Sequence, residues 1–231
     1  MFNSPFSKSV SFSSVSEITL DQLSLLPEEE ILLSEFSIEK RKREFTLGRG
    51  AARKALEGLG IYNTAVGKGN RREPLWPEGI CGAISHTDGY AVAAVALKHD
   101  VIGLGIDIEN VCENQKLNIV EKIALQDEKK WITEDIALSN LRTVLLFSAK
   151  ETVFKALYPL CNTFLDYSSV SLKDASRDTL LFRLSEKTLG IFKSVKDVKI
   201  GKELQVRYSN YTLEDGRVFV MTSIEITNNY A

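Results

Sequence analysis

Two short stretches of this sequence carry acidic side chains at spacings that suit chemistry. The first, GLGIDIENV at 103–111, places Asp107 and Glu109 in alternation with the apolar residues Ile106 and Ile108. Successive side chains of a β-strand point to opposite faces, so the isoleucines can enter a core while the acids share the other face about 6–7 Å apart. Two carboxylates at that distance either form a solvated face, paired with surface bases, or hold something positively charged.

The second stretch, LSNLRTVLLFSAKETVFKALYPL at 138–160, has the composition of a helix, with Ser139 as a plausible N-cap and Pro159 as a stop. Glu151 and Lys155 are four residues apart and share one helical face, which by itself describes an ordinary surface ion pair. Combined with the two strand acids, however, Glu151 would supply a third hard oxygen ligand. Mg²⁺ is bound in this way, by a few carboxylates together with waters and substrate phosphates.

The elements that would position these residues occur twice in the same order. A helical pattern from Pro27 to Leu59 precedes strand-like runs at 81–86, 90–97 and 101–109, whose short connections TDG and KHD predict an antiparallel meander. Helical patterns at 117–130 and 139–158 then precede four strand-like runs, YSSVSL, TLLFRL, ELQVRYSNYTL and RVFVMTSIEI. We therefore expect an α+β fold of two lobes, residues 1–104 and 105–231, with the acidic strand at their join, where ligand sites tend to lie.

Composition excludes little and supports an ordinary globular protein. The 231 residues include 29 basic and 31 acidic side chains, so the net charge of −2 gives no general attraction to nucleic acid or anionic membranes. Cys81, Cys112 and Cys161 lack metal-ligand spacing, suit a reducing compartment and are expected to be packing residues. The serine-rich start does not have the pattern of a secretory signal, and no apolar run has membrane-spanning length, so we expect a soluble, cytoplasmic protein.

The motifs resemble those of a known family. GIDIE at 105–109 followed by FSAKETVFKA at 147–156 resembles the paired signatures of the Sfp-type 4′-phosphopantetheinyl transferases. Upstream, REFTLGRGAARKAL and RREPLWPEGICGAISHTDG resemble the enterobactin synthase component D branch. The resemblance covers roughly residues 25–175. It departs from the family pattern at Phe147, where the helix motif often begins with Trp, and it fades after Val170.

The resemblance implies a reaction, a fold and partners. The 4′-phosphopantetheine arm of coenzyme A would be transferred to a serine of an apo acyl or peptidyl carrier protein, with Mg²⁺ as cofactor and adenosine 3′,5′-bisphosphate as by-product. The implied fold is a pseudo-dimer of two similar lobes, each a small antiparallel sheet packed against a long helix, with coenzyme A in the cleft between them. Siderophore, other nonribosomal peptide and polyketide pathways are the implied settings, and a monomer is the expected state.

The resemblance also implies roles for individual residues. Asp107, Glu109 and Glu151 would be the Mg²⁺ ligands, with Glu151 also the candidate base for the serine proton. Lys155 would steady the phosphates or the leaving group, with Lys150 as a candidate to assist it. Coenzyme A would be held by two groups of residues in addition to Asp107 and Lys155. These are Ser85 and His86 for the phosphates of the nucleotide end, and Arg41, Arg49, Arg71, Arg72, Glu73 and Pro74 for the adenine and its 3′-phosphate. Arg53 is open between a phosphate contact and a solvated helix position.

Other readings of the same residues remain. The basic stretches EKRKREF and NRRE suit a nucleic-acid-binding module, although the net charge and the few interleaved aromatic residues argue against it. The acids alone would also suit another Mg²⁺-dependent phosphoryl enzyme, such as a phosphohydrolase. For a carrier protein, DEKKWITED at 127–135 is a candidate docking stretch, in which Trp131 is either a docking aromatic or a core residue, and Lys129 and Lys130 are weaker candidates.

Overall fold

The computed structural model describes residues 2–34, 36–111 and 119–227. As predicted, it combines helices with antiparallel sheets. The helices are α1 (Pro27–Glu30), α2 (Glu39–Glu57), α3 (Val120–Ile123), α4 (Gln126–Thr133), α5 (Ser139–Cys161) and α6 (Glu186–Lys193). The strands are β1 (Val10–Ser16), β2 (Gly67–Lys68), β3 (Pro74–Leu75), β4 (Ile80–Thr87), β5 (Tyr90–Leu97), β6 (Gly103–Asn110), β7 (Val170–Ala175), β8 (Thr179–Leu184), β9 (Glu203–Thr212) and β10 (Val218–Ile226). Within the described ranges, no helix is both long and apolar enough to cross a membrane.

Strand β1 forms from the serine-rich N-terminal segment, which was not predicted to be a strand. It pairs along one edge of β5, from Val10 opposite Ala96 to Ser16 opposite Tyr90, and β4 pairs along the other edge. Val10 and Val15 are five residues apart and enter cores on opposite faces of this three-stranded sheet. The serines between them hid the alternation that would have predicted the strand.

The predicted meander of three strands is correct for β4 and β5 and wrong for β6. The β4–β5 turn holds Asp88 at φ 41° and Gly89 at φ 82°, which are the two left-handed residues of a type I′ hairpin. Strand β6 does not pair with β5 because both edges of β5 are already occupied, one by β1 and the other by β4. Instead β6 pairs with β10, and the Ile102 N–H begins this contact by donating to the carbonyl of Ile226 at 2.8 Å.

Helix α2 covers one face of the three-stranded sheet. Its residues Ala51, Ala52 and Ala55 are fully buried against Ala91 and Ala93 of β5. Small side chains on both elements let the helix lie close to the sheet. The helical prediction for this region is confirmed for α2, whereas the stretch that starts at Pro27 forms only the single turn α1.

The strands of the second half follow the prediction, and they form a five-stranded sheet in the order β6-β10-β9-β8-β7. Helix α6 between β8 and β9 was not predicted. Helix α5 begins at Ser139, with Leu138 rather than Ser139 as its N-cap, and it continues past Pro159 to Cys161 before Asn162 turns at φ 49°. A single proline removes one backbone hydrogen bond, which the extensive burial of α5 outweighs. The helical pattern at 117–130 forms α3 and α4, and residues 117–118 lie outside the described residues.

The apolar side of β6 fills a core between the two larger sheets. Leu104, Ile106 and Ile108 are buried together with Phe219 and Met221 of β10. This cluster packs against the face of the three-stranded sheet opposite α2, through Ala83, Val92, Ala94 and Ala96. The expectation that both isoleucines anchor this strand in a core is confirmed. Cys81 belongs to the same cluster, as expected of a packing residue, whereas Cys112 lies outside the described residues.

Candidate functional site

The other face of β6 lies directly on helix α5. An added Cβ at Gly105 would be only 2.1 Å from the carbonyl oxygen of Thr152, and one at Gly103 would be 2.8 Å from that of Ala156. The two glycines therefore allow the helix backbone to approach the strand more closely than any other residue would permit. Asp107 is the next residue on this face, and the close approach brings it beside α5.

Asp107 is almost fully buried and is held from both sides. The ammonium of Lys155 donates to its Oδ1 at 2.7 Å and also to the carbonyl of Ile106 at 3.1 Å. The hydroxyl of Ser85, on β4, donates to the same Oδ1 at 2.7 Å. The second oxygen, Oδ2, is buried without a hydrogen-bond partner. Buried carboxylate oxygens are rarely left unsatisfied, so this atom is where a cation or a ligand donor would fit.

Glu151 has a partner that the sequence did not suggest. The phenolic hydroxyl of Tyr167 donates to its Oε1 at 2.6 Å. Burial raises the pKa of Tyr167, and the hydrogen bond to Glu151 and the charges of Glu151, Asp107 and Glu109 raise it further. The three predicted acids therefore lie within electrostatic range of one hydroxyl group. Even so, among residues 2–34, 36–111 and 119–227, no three His, Cys, Asp or Glu side chains are grouped as a metal site.

His86 lies half-buried at the end of β4, close to the same charges. Burial lowers its pKa, and the cations Lys155 and Arg41 lower it as well, while the carboxylates of Glu44 and Asp107 act in the opposite direction. The net effect favours a neutral imidazole at neutral pH. His86 is thus within electrostatic range of the Lys155–Asp107 pair and also of Arg41 and Glu44 on α2.

The Arg71–Pro74 segment meets helix α5 across a cavity of about 240 Å³. The guanidinium of Arg71 lies 5.8 Å from the ring centre of Phe164 and 6.0 Å from that of Tyr158. The walls of the cavity combine this segment with β4 and the functional face of α5. They are formed by Arg71, Arg72, Glu73, Pro74, Gly82, Ala83, Ile84, Glu151, Phe154, Lys155, Tyr158 and Pro159. Residues from both halves of the sequence therefore line the same cavity.

Two arginines of α2 have different surroundings. Arg49 is buried, stacks 4.5 Å from the ring centre of Phe45 and donates to the carbonyl of Gly67 at 2.8 Å, yet its Nε–H lacks a partner. Burial lowers its pKa to about 10, so it stays charged at neutral pH. Arg53 pairs with the fully buried Glu29. Arg53 therefore forms a structural ion pair, and the solvated helix position considered for it is wrong.

Lys150 does not face the candidate site, contrary to its suggested assistance to Lys155. Its ammonium is buried and donates to Glu128 at 2.6 Å, to the carbonyl of Ile123 at 2.8 Å and to that of Tyr167 at 2.9 Å. Successive residues of an α-helix are rotated by about 100° around its axis, so Lys150 and the adjacent Glu151 point in different directions. Its role is to join helix and loop.

The suggested docking aromatic, Trp131, is half-buried against the core of the second half. The guanidinium of Arg142 lies 5.2 Å from its ring centre. The nearby Lys129 and Lys130 form surface ion pairs with Glu121 and Asp127. This stretch is therefore largely occupied with packing and local pairing.

The tyrosine that binds Glu151 was missed because nothing in the sequence marks it. Tyr167 was predicted to begin the strand-like run YSSVSL, but β7 begins only at Val170, so the tyrosine lies in the irregular segment NTFLDYSS. It follows Glu151 by sixteen residues, and neither helical nor strand periodicity connects the two. Its only available signal was an aromatic residue with a polar tip beside a predicted catalytic helix, which is too common to be informative.

Models of one protein family match both halves of the chain. A model described as the 4′-phosphopantetheinyl transferase N-terminal domain matches residues 28–96, and one described as the 4′-phosphopantetheinyl transferase superfamily matches residues 103–211. The first range includes α2 with β4 and nearly all of β5, and it begins after β1. The second range includes β6, α5 and most of the five-stranded sheet.

Individual proteins give the same result. The 4′-phosphopantetheinyl transferase Npt of Nocardia iowensis is 38% identical over 164 residues, which cover 69% of this chain and 72% of the relative. The 4′-phosphopantetheinyl transferase Svp of Streptomyces mobaraensis is 36% identical over 173 residues, covering 71% and 68%. Enterobactin synthase component D of Salmonella typhimurium is 37% identical over 118 residues, covering 51% and 48%. The chain belongs to the 4′-phosphopantetheinyl transferase superfamily.

Proposed function

We propose that this protein transfers the 4′-phosphopantetheine arm of coenzyme A to a serine of an apo acyl or peptidyl carrier protein and releases adenosine 3′,5′-bisphosphate. The observation that carries the proposal is the shared cavity. Glu151 and Lys155 line it on one side and Arg71–Pro74 on the other, with the buried Asp107 bound to Lys155. Cleavage of the pyrophosphate linkage of coenzyme A requires residues that bind the nucleotide next to residues that handle protons and charge. Arg71–Pro74 would serve the first purpose, and Glu151 and Lys155 the second.

We propose that the chain is organised as two lobes. Residues 1–104 would form a nucleotide-binding lobe built on α2 and its sheet, and residues 105–231 a catalytic lobe built on α5 and its sheet, related as a pseudo-dimer. Coenzyme A would bind in the cleft between them. This is supported by the position of β6, whose apolar face packs on the first sheet and whose glycine face lies on α5.

In the first lobe, the nucleotide end of coenzyme A would be held by basic residues. Arg41 and Arg49 suit its 3′-phosphate because a guanidinium group matches phosphate geometry, and the unsatisfied Nε–H of Arg49 is a donor that an anion would complete. Arg71, Arg72, Glu73 and Pro74 would surround the adenine. His86 would donate a hydrogen bond to a phosphate. Ser85 would act through Asp107, because the Ser85 hydroxyl already donates to the Oδ1 of Asp107.

Mg²⁺ fits the donor set around Asp107. The hard oxygen Oδ2 of Asp107 has no hydrogen-bond partner, whereas Oδ1 accepts from both Lys155 and Ser85. Glu109 and Glu151 are the neighbouring acids that would join it. When bound, the metal would offset negative charge on the phosphate oxygens. The proposal predicts that chelation with EDTA abolishes the reaction and that added Mg²⁺ restores it.

The residues of α5 would handle the proton and the charge. Serine is a weak nucleophile at neutral pH, so its proton must be accepted as it attacks. Glu151 is the proposed base because it lines the cavity on the same side as Lys155. Lys155, already bound to Asp107, would hold the phosphates and offset the charge that develops on the departing adenosine bisphosphate.

We expect a cytoplasmic monomer that acts on carrier domains of siderophore, other nonribosomal peptide or polyketide pathways and does not bind nucleic acid. The siderophore setting is supported by the match to enterobactin synthase component D. The predicted docking stretch 127–135 is largely occupied with packing and local pairing, so the exposed Ile136 and Leu138 beside it are the proposed contact for the carrier.

The experiment that tests this function measures adenosine 3′,5′-bisphosphate by chromatography after incubation with coenzyme A and Mg²⁺, with and without an apo carrier protein. A transferase releases the nucleotide in proportion to the carrier that is added. Release that is equal without a carrier would favour a phosphohydrolase. No release, together with an affinity for DNA or RNA that falls steeply with salt, would favour the nucleic-acid-binding module.

A further inference from the structure

Tyr167 makes a specific contact with the proposed base. Its hydroxyl is 2.6 Å from Oε1 of Glu151, and among the described residues no other hydrogen bond reaches that carboxylate. A glutamate side chain has three rotatable bonds, so without a partner its carboxylate samples several positions. The tyrosine therefore selects one position for Glu151 and leaves its second oxygen for the reacting group.

The backbone of Tyr167 is itself held from the same helix. Lys150 donates to the Tyr167 carbonyl at 2.9 Å, and the ammonium is fixed by the buried carboxylate of Glu128 at 2.6 Å. Glu128 accepts two more hydrogen bonds, from the backbone N–H groups of Leu125 and Leu172 at 2.7 and 2.8 Å. Consecutive residues of α5 thus bind both ends of the tyrosine, Lys150 at its carbonyl and Glu151 at its hydroxyl.

We propose that Tyr167 is a positioning residue that fixes the Glu151 carboxylate for catalysis, and that the buried Lys150–Glu128 pair holds Tyr167 in place. This inference rests on the proposed transferase function, in which Glu151 accepts the serine proton. It also gives the buried Lys150 a role in the reaction that does not require contact with substrate. Tyr167 acts through Glu151 and does not itself exchange a proton.

The test replaces Tyr167 by Phe, which removes the hydroxyl and keeps the ring that lies 6.2 Å from the ring of Phe147. Misplacement of a catalytic group by about 1 Å lowers rates by up to about 100-fold. We expect kcat for carrier modification to fall by about 10- to 100-fold, while KM for coenzyme A changes by less than about twofold. The matched control is Tyr208→Phe, which removes a hydroxyl that donates to the Ser176 carbonyl at 2.9 Å, outside the cavity, and should retain wild-type kcat.

A second measurement separates positioning from general loss of stability. Urea midpoints are compared for the wild type, Tyr167→Phe, Glu151→Gln and the double variant, as a double-mutant cycle. Loss of the hydroxyl should lower the midpoint in the wild type and lower it much less in the Glu151→Gln background, because the hydroxyl then has no charged partner. Equal midpoint shifts in both backgrounds, or a wild-type kcat for Tyr167→Phe, would overturn the inference. If the wild type is active in the same assay, the transferase function still holds. A wild type that modifies no carrier would overturn both.

Discussion

The contact between β6 and α5 should depend on the absence of a side chain at residue 105. In Gly105→Ala the new Cβ would be 2.1 Å from the Thr152 carbonyl oxygen, whereas ordinary contacts begin at 3.4 Å, so the strand and helix must separate by about 1 Å. Overpacking of this kind costs about 1–3 kcal/mol. The obstacle is helix backbone rather than a flexible side chain, which places this variant near the upper value, or about 3 kcal/mol.

For a chain of this length, 1 kcal/mol corresponds to about 2–4 °C in Tm. We therefore expect Gly105→Ala to melt about 6–12 °C lower than the wild type in differential scanning calorimetry. Because Lys155 reaches Asp107 at 2.7 Å across this same contact, transferase activity at a permissive temperature should fall by up to about 100-fold. Gly103→Ala should show smaller changes, since its Cβ would be 2.8 Å from the Ala156 carbonyl oxygen.

The matched control is Gly190→Ala in the exposed part of α6, where an added Cβ would meet nothing within 4 Å. Alanine is favoured over glycine inside a helix by about 0.5–1 kcal/mol, so this variant should be slightly more stable and fully active. A Gly105→Ala protein with wild-type Tm and activity would refute the view that the glycine face positions the site.

Three further predictions concern other residues. Lys150→Met leaves the buried charge of Glu128 unpaired and should destabilise the protein by about 3–5 kcal/mol in urea titration, and a variant within 1 kcal/mol of wild type would contradict a structural ion pair. Burial raises the pKa of the Cys81 thiol from 9.0 to about 11, so unfolding releases a proton above pH 9. Stability should therefore fall between pH 9 and 11 more in the wild type than in Cys81→Ala, and parallel curves would be inconsistent with this. His86→Ala and Arg41→Ala should each raise KM for coenzyme A in steady-state assays; a change confined to KM for the carrier would place them at the wrong substrate.

Much of the fold could be predicted because its signals are local. The alternation of Ile106 with Asp107 set the two faces of β6, and the helical spacing of Glu151 and Lys155 put both on one side of α5. The pairing of β6 could not be predicted in the same way, because it depends on which strands occupy the edges of β5. Strand β1 occupies the edge of β5 that β6 was expected to use, and β1 itself was not predicted because its serines obscure the strand pattern.

The candidate site shows the same limit. Motif order predicted that Asp107, Glu151 and Lys155 belong together, and the 2.7 Å contact of Lys155 with Asp107 agrees with that expectation. The other contacts of the site depend on which side chains are buried by the fold, and a short sequence motif does not show this. Lys150 and Glu151 are adjacent in sequence, yet the first is a buried structural cation and the second lines the cavity. Tyr167 reaches Glu151 only because the chain folds back after α5.

The central claim is that the β6–α5 contact forms the transferase site, and the intact mass of a carrier protein tests it most directly. An apo carrier is incubated with coenzyme A, Mg²⁺ and either the wild type, Asp107→Asn, or Asp215→Asn, which alters an exposed acid paired with Arg217. We expect the mass of one phosphopantetheine group to be added by the wild type and by Asp215→Asn, and none by Asp107→Asn. No added mass with several acyl and peptidyl carriers, or full modification by Asp107→Asn, would contradict the claim.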